Sequence, residues 1–129
     1  MSIVSIIRSQ NDLVHGKPAT QKMIEEAEKT LSVYFAEDYK QYVKEFGVAT
    51  FEGHNLTGIS PGYRLDVTVM TNDLREIYPF VPKDCYVIED AYIDGIVIWQ
   101  SQIGAIYQAT PDSDPIKIAN SLAEYIQDN

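Results

Sequence analysis

The sequence predicts a single α+β domain over residues 1–129, with a largely antiparallel β-sheet packed by helices. Helical spacing governs the first half: Ile24, Ala27, Glu28 and Leu31 share one face, as do Tyr39, Tyr42, Val43 and Phe46. Short apolar runs punctuated by turn residues govern 85–119, the pattern of strands in a meander. Helices first and strands later argues against a doubly wound parallel sheet, in which the two would alternate. A content of 45% hydrophobic and 22% charged residues fits an ordinary soluble domain with one core.

In chain order, residues 1–14 read as a short amphipathic helix with Ile3, Ile6, Ile7 and Leu13 inward, broken by His15-Gly16-Lys17-Pro18. Thr20 can cap the next helix. Ser32-Val33-Tyr34-Phe35 favours extension, so a bent helix pair is expected rather than one rod. Glu37 and Asp38 suit the positive start of the second helix, Lys40 and Lys44 lie toward its negative end, and Gly47 can end it with a positive φ. Val48–Ile59, interrupted by Gly53-His54-Asn55, reads as a hairpin. Leu65–Met70 is β-rich and reads as a strand end, followed by a short helix from Asp73 to Tyr78 capped by Thr71-Asn72-Asp73. Strands are expected at Cys85–Ile88, Gly95–Gln100, Ala105–Ala109 and Ile116–Ile118. Asp94-Gly95 makes a tight turn, and Pro111-Asp112-Ser113-Asp114-Pro115 an exposed loop. Ser121 and Glu124 form a capping box for a last helix with Leu122, Tyr125 and Ile126 inward. The face of Tyr39, Tyr42, Val43 and Phe46 is expected to pack on strands from residues 85–109.

The charge is uneven. Residues 1–83 hold 11 acids and 9 bases, whereas 84–129 hold eight acids against Lys117 alone, a balance of −7 within a total of −9. Such acidity disfavours direct contact with nucleic acid or an anionic membrane. It suits either a solvated face or a field that steers a basic partner. The apolar start, Met1 to Ile7, is short and lacks a preceding basic region, so neither a signal peptide nor a membrane span is expected, and Asn55-Leu56-Thr57 is expected to be an idle sequon. A lone Cys85 in an apolar run excludes an internal disulfide and reads as a buried thiol of a reducing, cytoplasmic protein.

Residues able to carry catalysis are sparse. His15 and His54 are far apart, without a His or Cys partner at metal-binding spacing, and both are expected to be dispensable. No phosphate-binding, dinucleotide or nucleophile-elbow motif occurs. Asp112-Ser113-Asp114 opens like a calcium loop, but Pro115 stands where another ligand is needed. Glu89 and Asp90, adjacent on a strand, would point to opposite faces and make a poor acid/base pair. Glu28 lies on an apolar stripe and is expected to bond nearby donors as a structural group. No metal, cofactor or catalytic residue is expected.

Ile24 and Glu28, then Leu31, the step Glu37-Asp38-Tyr39-Lys40, Tyr42 and the Phe46-Gly47 exit together resemble the signature of the SUKH superfamily. That family comprises bacterial toxin-immunity proteins and a yeast cell-wall synthesis regulator. Thr71 with Leu74-Arg75, Asp94-Gly95, Gly104-Ala105-Ile106-Tyr107, and Ile118-Ala119 with Ser121 and Glu124-Tyr125-Ile126 extend the likeness over residues 20–126. Phe35-Ala36 replaces the family's Leu-Pro, and Phe46-Gly47-Val48 its Asn-Gly-Gly. The resemblance implies a SUKH-like fold in which Glu28, Tyr39, Phe46, Gly47, Gly95 and Trp99 are structural. It implies an immunity protein that occludes a cognate toxin domain without turnover. A regulatory interaction module is the alternative, and a small enzyme with an unrecognised site the third reading.

Toxins that attack nucleic acid are basic, because phosphate contacts dominate their affinity. The acidic last third therefore nominates Glu89, Asp90 and Asp94 around one turn, with Asp112 and Asp114 in another, as the toxin-binding surface. Tyr63, Tyr92 and Tyr107 are candidate aromatic anchors.

Overall fold

A computed structural model describes residues 2–61 and 65–128, and Tyr63 lies outside them. The chain runs α1 (Ile3–Arg8), β1 (Val14–His15), α2 (Gln21–Leu31), α3 (Glu37–Phe46), β2 (Ala49–Phe51), β3 (His54–Leu56), α4 (Val67–Ile77), β4 (Tyr86–Asp90), β5 (Val97–Gln100), β6 (Ile106–Ala109), β7 (Ile116–Ala119) and α5 (Leu122–Asp128). The predicted α+β class holds, with the strands divided between two antiparallel sheets, β1-β2-β3 and β4-β5-β6-β7. The sheets approach each other where Thr57 N–H donates to Ile88 O at 2.7 Å.

The helix pair forms for the reasons its sequence gives. Thr20 Oγ1 accepts the Met23 N–H and caps α2, while Ser32, in the left-handed region, turns the chain out of it. The buried stripe of α2 is Ile24, Ala27 and Leu31, and that of α3 is Tyr39, Tyr42, Val43 and Phe46. Glu28 Oε2 accepts the Phe35 N–H at 2.9 Å, which fixes the extended step between the helices. The buried face of α3 has three different neighbours, not only the strands of 85–109. Tyr39 meets Tyr86 of β4 at 5.0 Å between ring centroids. Tyr42 bonds to the chain around β2 and β3, and Phe46 packs against His15 of β1 with Arg8 of α1 over its ring.

Gly47, at φ +72°, ends α3 where three backbones cross. A Cβ there would lie 2.0 Å from Lys17 O, and one on Gly58 would lie 1.9 Å from Gly47 O. Only glycine permits an approach this close. The Ile59 N–H donates to Gly47 O across the same crossing.

Three predicted segments differ. The first helix stops at Arg8 with Ser9 as its C-cap, Asp12 at φ +60° then turns the chain, and Val14–His15 pairs with Ala49–Thr50 as β1. Gly53-His54-Asn55 is not all turn, since His54 and Asn55 belong to β3. Residues 67–70, read as strand, are the first turn of α4. Asp66 caps it by accepting the Val69 N–H, and Val67, Met70, Thr71 and Leu74 recur at helical spacing. Packing of that stripe outweighs the strand preference of Val67, Thr68 and Val69.

The four-stranded sheet is covered on both faces. Tyr86, Ile88, Ile98 and Ile106 join the main core with the helices α1, α2, α3 and α5. Val87, Val97, Trp99 and Ala109 form a second cluster with Cys85 and Tyr78, against Met70 and Leu74 of α4. Of the four edge strands, β3 and β4 lie against each other at the Thr57–Ile88 contact, which leaves β1 and β7 as the outer edges. β1 has only two residues, and β7 carries exposed Lys117 and a register shift opposite Ile106/Tyr107.

Candidate functional site

The meander sets the geometry of the acidic third. β4 and β6 run toward one end of the sheet and β5 and β7 away from it, so the 91–96 and 110–115 loops lie side by side. A Cβ on Gly95 would lie 3.5 Å from Pro111 Cδ, and Tyr78 OH donates to Gly95 O at 2.6 Å. This end gathers Asp90, Asp94, Asp112 and Asp114, with no base between residues 90 and 116. Asp94, Asp112 and Asp114 are exposed. Asp90 is half-buried, and its Oδ1 accepts the Tyr92 N–H at 2.8 Å.

That bond shapes the tip. Tyr92 and Asp94 hold positive φ values of 54° and 53°, a region unfavourable to residues with a Cβ. The resulting turn lifts Tyr92 and Ile93 away from the body, at 72% and 60% exposure. Two apolar side chains thus stand within a group of carboxylates. Tyr107, the other described aromatic candidate, is half-buried against the second cluster and does not join them.

Glu89 does not belong to this surface. A register shift between Val87 and Glu89 interrupts the alternation of β4 and turns the Glu89 side chain into the protein, where the residue is 5% exposed. One carboxylate oxygen accepts the Asn55 N–H at 2.9 Å. The other accepts from His54 Nδ1 at 2.7 Å and from Tyr125 OH. The expectation that Glu89 sits on an exposed turn is thereby corrected. His54, read as a loop residue, instead lies in β3 and is buried, and removing it would strip the Glu89 carboxylate of a donor. Burial first, and then the adjacent Glu89 charge, push the Tyr125 phenol up from its ordinary range.

A second polar chain runs through the core beside it. Tyr39 OH bonds to Thr57 Oγ1 at 3.0 Å, and Thr57 Oγ1 donates to Val87 O at 2.7 Å. Tyr42 OH donates to Thr57 O and accepts the Ala49 N–H. Tyr86 OH donates to Gln100 Oε1 and accepts the Ala36 N–H, while Gln100 Nε2 donates to Asp38. The other oxygen of Asp38 accepts the Leu122 N–H at the start of α5. Desolvation holds the Tyr39, Tyr42 and Tyr86 phenols above their ordinary range, so they remain hydrogen-bonding hydroxyls. Burial, followed by the neighbouring Asp84 charge, pushes the Cys85 thiol up to about 12. It is a packing group rather than a nucleophile.

Glu28, Tyr39, Phe46 and Gly47 fix the helix pair, Gly95 turns the acidic tip at φ +72°, and Trp99 is fully buried. Trp99 Nε1 has no hydrogen-bond partner among the described residues. No cluster of three or more His, Cys, Asp or Glu side chains is placed to hold a metal ion among them. No described helix is long and apolar enough to cross a membrane. The inward turn of Glu89 and the exposure of Ile93 left no mark in the sequence, because a bulge and the lift of a tip depend on tertiary context.

Fold and surface together define a small acidic α+β domain, with one set of polar groups sealed in its core and another displayed at a sheet end. The family model SUKH_6, described as SMI1-KNR4 cell-wall, matches residues 21–126. The chain belongs to that family and so to the SUKH superfamily. No curated protein matches it.

Proposed function

We propose that the protein is an immunity protein that binds a cognate basic toxin domain, a nuclease, in the bacterial cytoplasm and blocks it by stoichiometric occlusion, without turnover or cofactor. Family membership supports a protein-interaction role of the immunity or SMI1-KNR4 type. The observation that carries the finer reading is the sheet end where Tyr92 and Ile93 stand among Asp90, Asp94, Asp112 and Asp114. Apolar anchors supply residence time at an interface, and surrounding charge supplies speed and choice of partner. A substrate-like field of carboxylates suits a protein whose own target is phosphate.

The test is the product of the neighbouring reading frame. Its purified C-terminal domain should form a 1:1 complex with this protein and lose its toxicity to cells when the two are co-expressed. A toxin domain that neither binds nor is neutralised would overturn the reading. The cell-wall description of the matching family favours a second reading, a regulatory module that contacts wall-synthesis proteins. Such a module would be captured by those proteins and would leave the neighbouring toxin active.

A further inference from the structure

A groove of about 780 Å³ lies between β1, β2, the start of α2 and the chain after β3. Its volume falls in the range of small-molecule sites. The walls include Val14, Met23, Val48 and Ile59, and Val14 is 68% exposed although β-branched and apolar. The charge of the groove is opposite to that of the molecule. None of its described lining residues is acidic in a chain with 19 acids, and His15 and Lys17 both line it.

Lys17 pairs with no carboxylate among the described residues. Its backbone passes close to Gly47, between the Gly16 N–H bond to Val48 O and the Ala19 N–H bond to Val43 O, which places the base of the side chain. His15 is likewise held: its Nδ1–H donates to Gly16 O at 2.8 Å, and its ring packs on Phe46. An adjoining hollow of about 220 Å³ shares Met23 and Ile59 and carries Glu26 and Asp66. An anionic head is therefore favoured near Lys17 and disfavoured at the far end.

We propose that this groove binds an amphipathic anion, a small molecule with an apolar body and one carboxylate or phosphate head, seated with the head at Lys17 and the body against Met23, Val48 and Ile59. Apolar burial supplies the affinity and the cation selects the head. The site is independent of the partner reading, since it uses none of the residues at the acidic tip.

Three ten-carbon amphiphiles, each below its micelle concentration, test it by amide NMR titration: decanoate, decyl glucoside and decyltrimethylammonium. Decanoate should shift the amides of Val14–Lys17 and Val48–Thr50 saturably and bind tightest. A net charge of −9 would by itself favour the cation, so preference for decanoate reports the groove and not the whole molecule. Lys17→Gln should weaken decanoate about fivefold and leave decyl glucoside unchanged, while Lys17→Arg should retain decanoate. Lys17 is exposed, so its replacement leaves the fold intact. Tighter binding of decyltrimethylammonium would overturn the proposal. So would decanoate shifts scattered over the surface without saturation, or an affinity indifferent to Lys17→Gln.

Discussion

The polar network of the core and the acid-ringed tip of the sheet are built from similar groups put to different uses. Glu89 and Asp90 are consecutive, yet the first is enclosed by His54, Asn55 and Tyr125, and the second caps an exposed turn under Tyr92. Inside, every oxygen of the network has a hydrogen-bond partner, and the fold depends on the matching. Outside, Asp94, Asp112 and Asp114 form no ion pair among the described residues, and their charge is free to act at a distance. A net-charge tally over residues 84–129 merges these populations. A register shift of one residue separates them.

Raising the pH should break the inner region most completely. The buried Tyr39, Tyr42, Tyr86 and Tyr125 phenols and the Cys85 thiol are all raised above their ordinary values. The folded state thus holds protons that the unfolded chain releases. Their stabilisation is present below the unfolded values, near ~8.5 for Cys and ~10 for Tyr, and is lost as pH rises through them toward the folded values. Each group contributes a slope of up to ~1.4 kcal/mol per pH unit. Denaturant melts at pH 7, 9, 10 and 11 should show a steep fall beginning near pH 9–10. A flat profile would mean that these hydroxyls are not sealed from water.

Glu89→Ala should come next, at about 3–5 kcal/mol, because it leaves His54, Asn55 and Tyr125 donors without their acceptor. Thermal unfolding measures it, and a loss below ~1 kcal/mol would place Glu89 with the surface acids after all. Tyr42→Phe keeps the packing and removes the hydroxyl that serves Thr57 O and Ala49 N. It should cost about 1–3 kcal/mol in the same assay. Joint replacement of Asp90, Asp94, Asp112 and Asp114 by Asn should change stability by no more than about 0.5 kcal/mol. It should slow association with a basic partner at low salt by roughly tenfold or more and flatten the salt dependence. A rate unchanged by the four substitutions would return these acids to the role of a solvated face.

Much of the fold was legible because local signals agreed with their surroundings. Thr20, the stripes of α2 and α3, Gly47, the Asp94-Gly95 turn and the Ser121–Glu124 cap all lie where their chemistry suggested. The misreadings share one cause. In residues 67–70 and 9–14 the expected element gave way to long-range packing, since burial against β4 and pairing with β2 outweigh a few tenths of a kcal/mol of propensity. Within the candidate surface, Asp94, Asp112 and Asp114 were legible from turn chemistry, whereas Glu89 was not. Alternation along a strand is a sound rule until a bulge inserts one residue, and nothing in Val87-Ile88-Glu89-Asp90 announces the bulge. The groove, acid-free among the described residues, was equally hidden, being assembled from residues 14–18, 23, 48–50, 59–61 and 65.

The outer edges of the two sheets, β1 and β7, carry a consequence for how such a protein can diversify. β1 is too short to template a further strand, and β7 is interrupted by its register shift and by Lys117. A lysine or a bulge on an edge discourages backbone-to-backbone addition and the aggregation that follows from it. Recognition through a shared backbone ladder, which any extended chain could satisfy, is thereby set aside. What remains for partners is side-chain chemistry on loops and groove walls, where a few substitutions can redirect specificity while the core and its register stay unchanged.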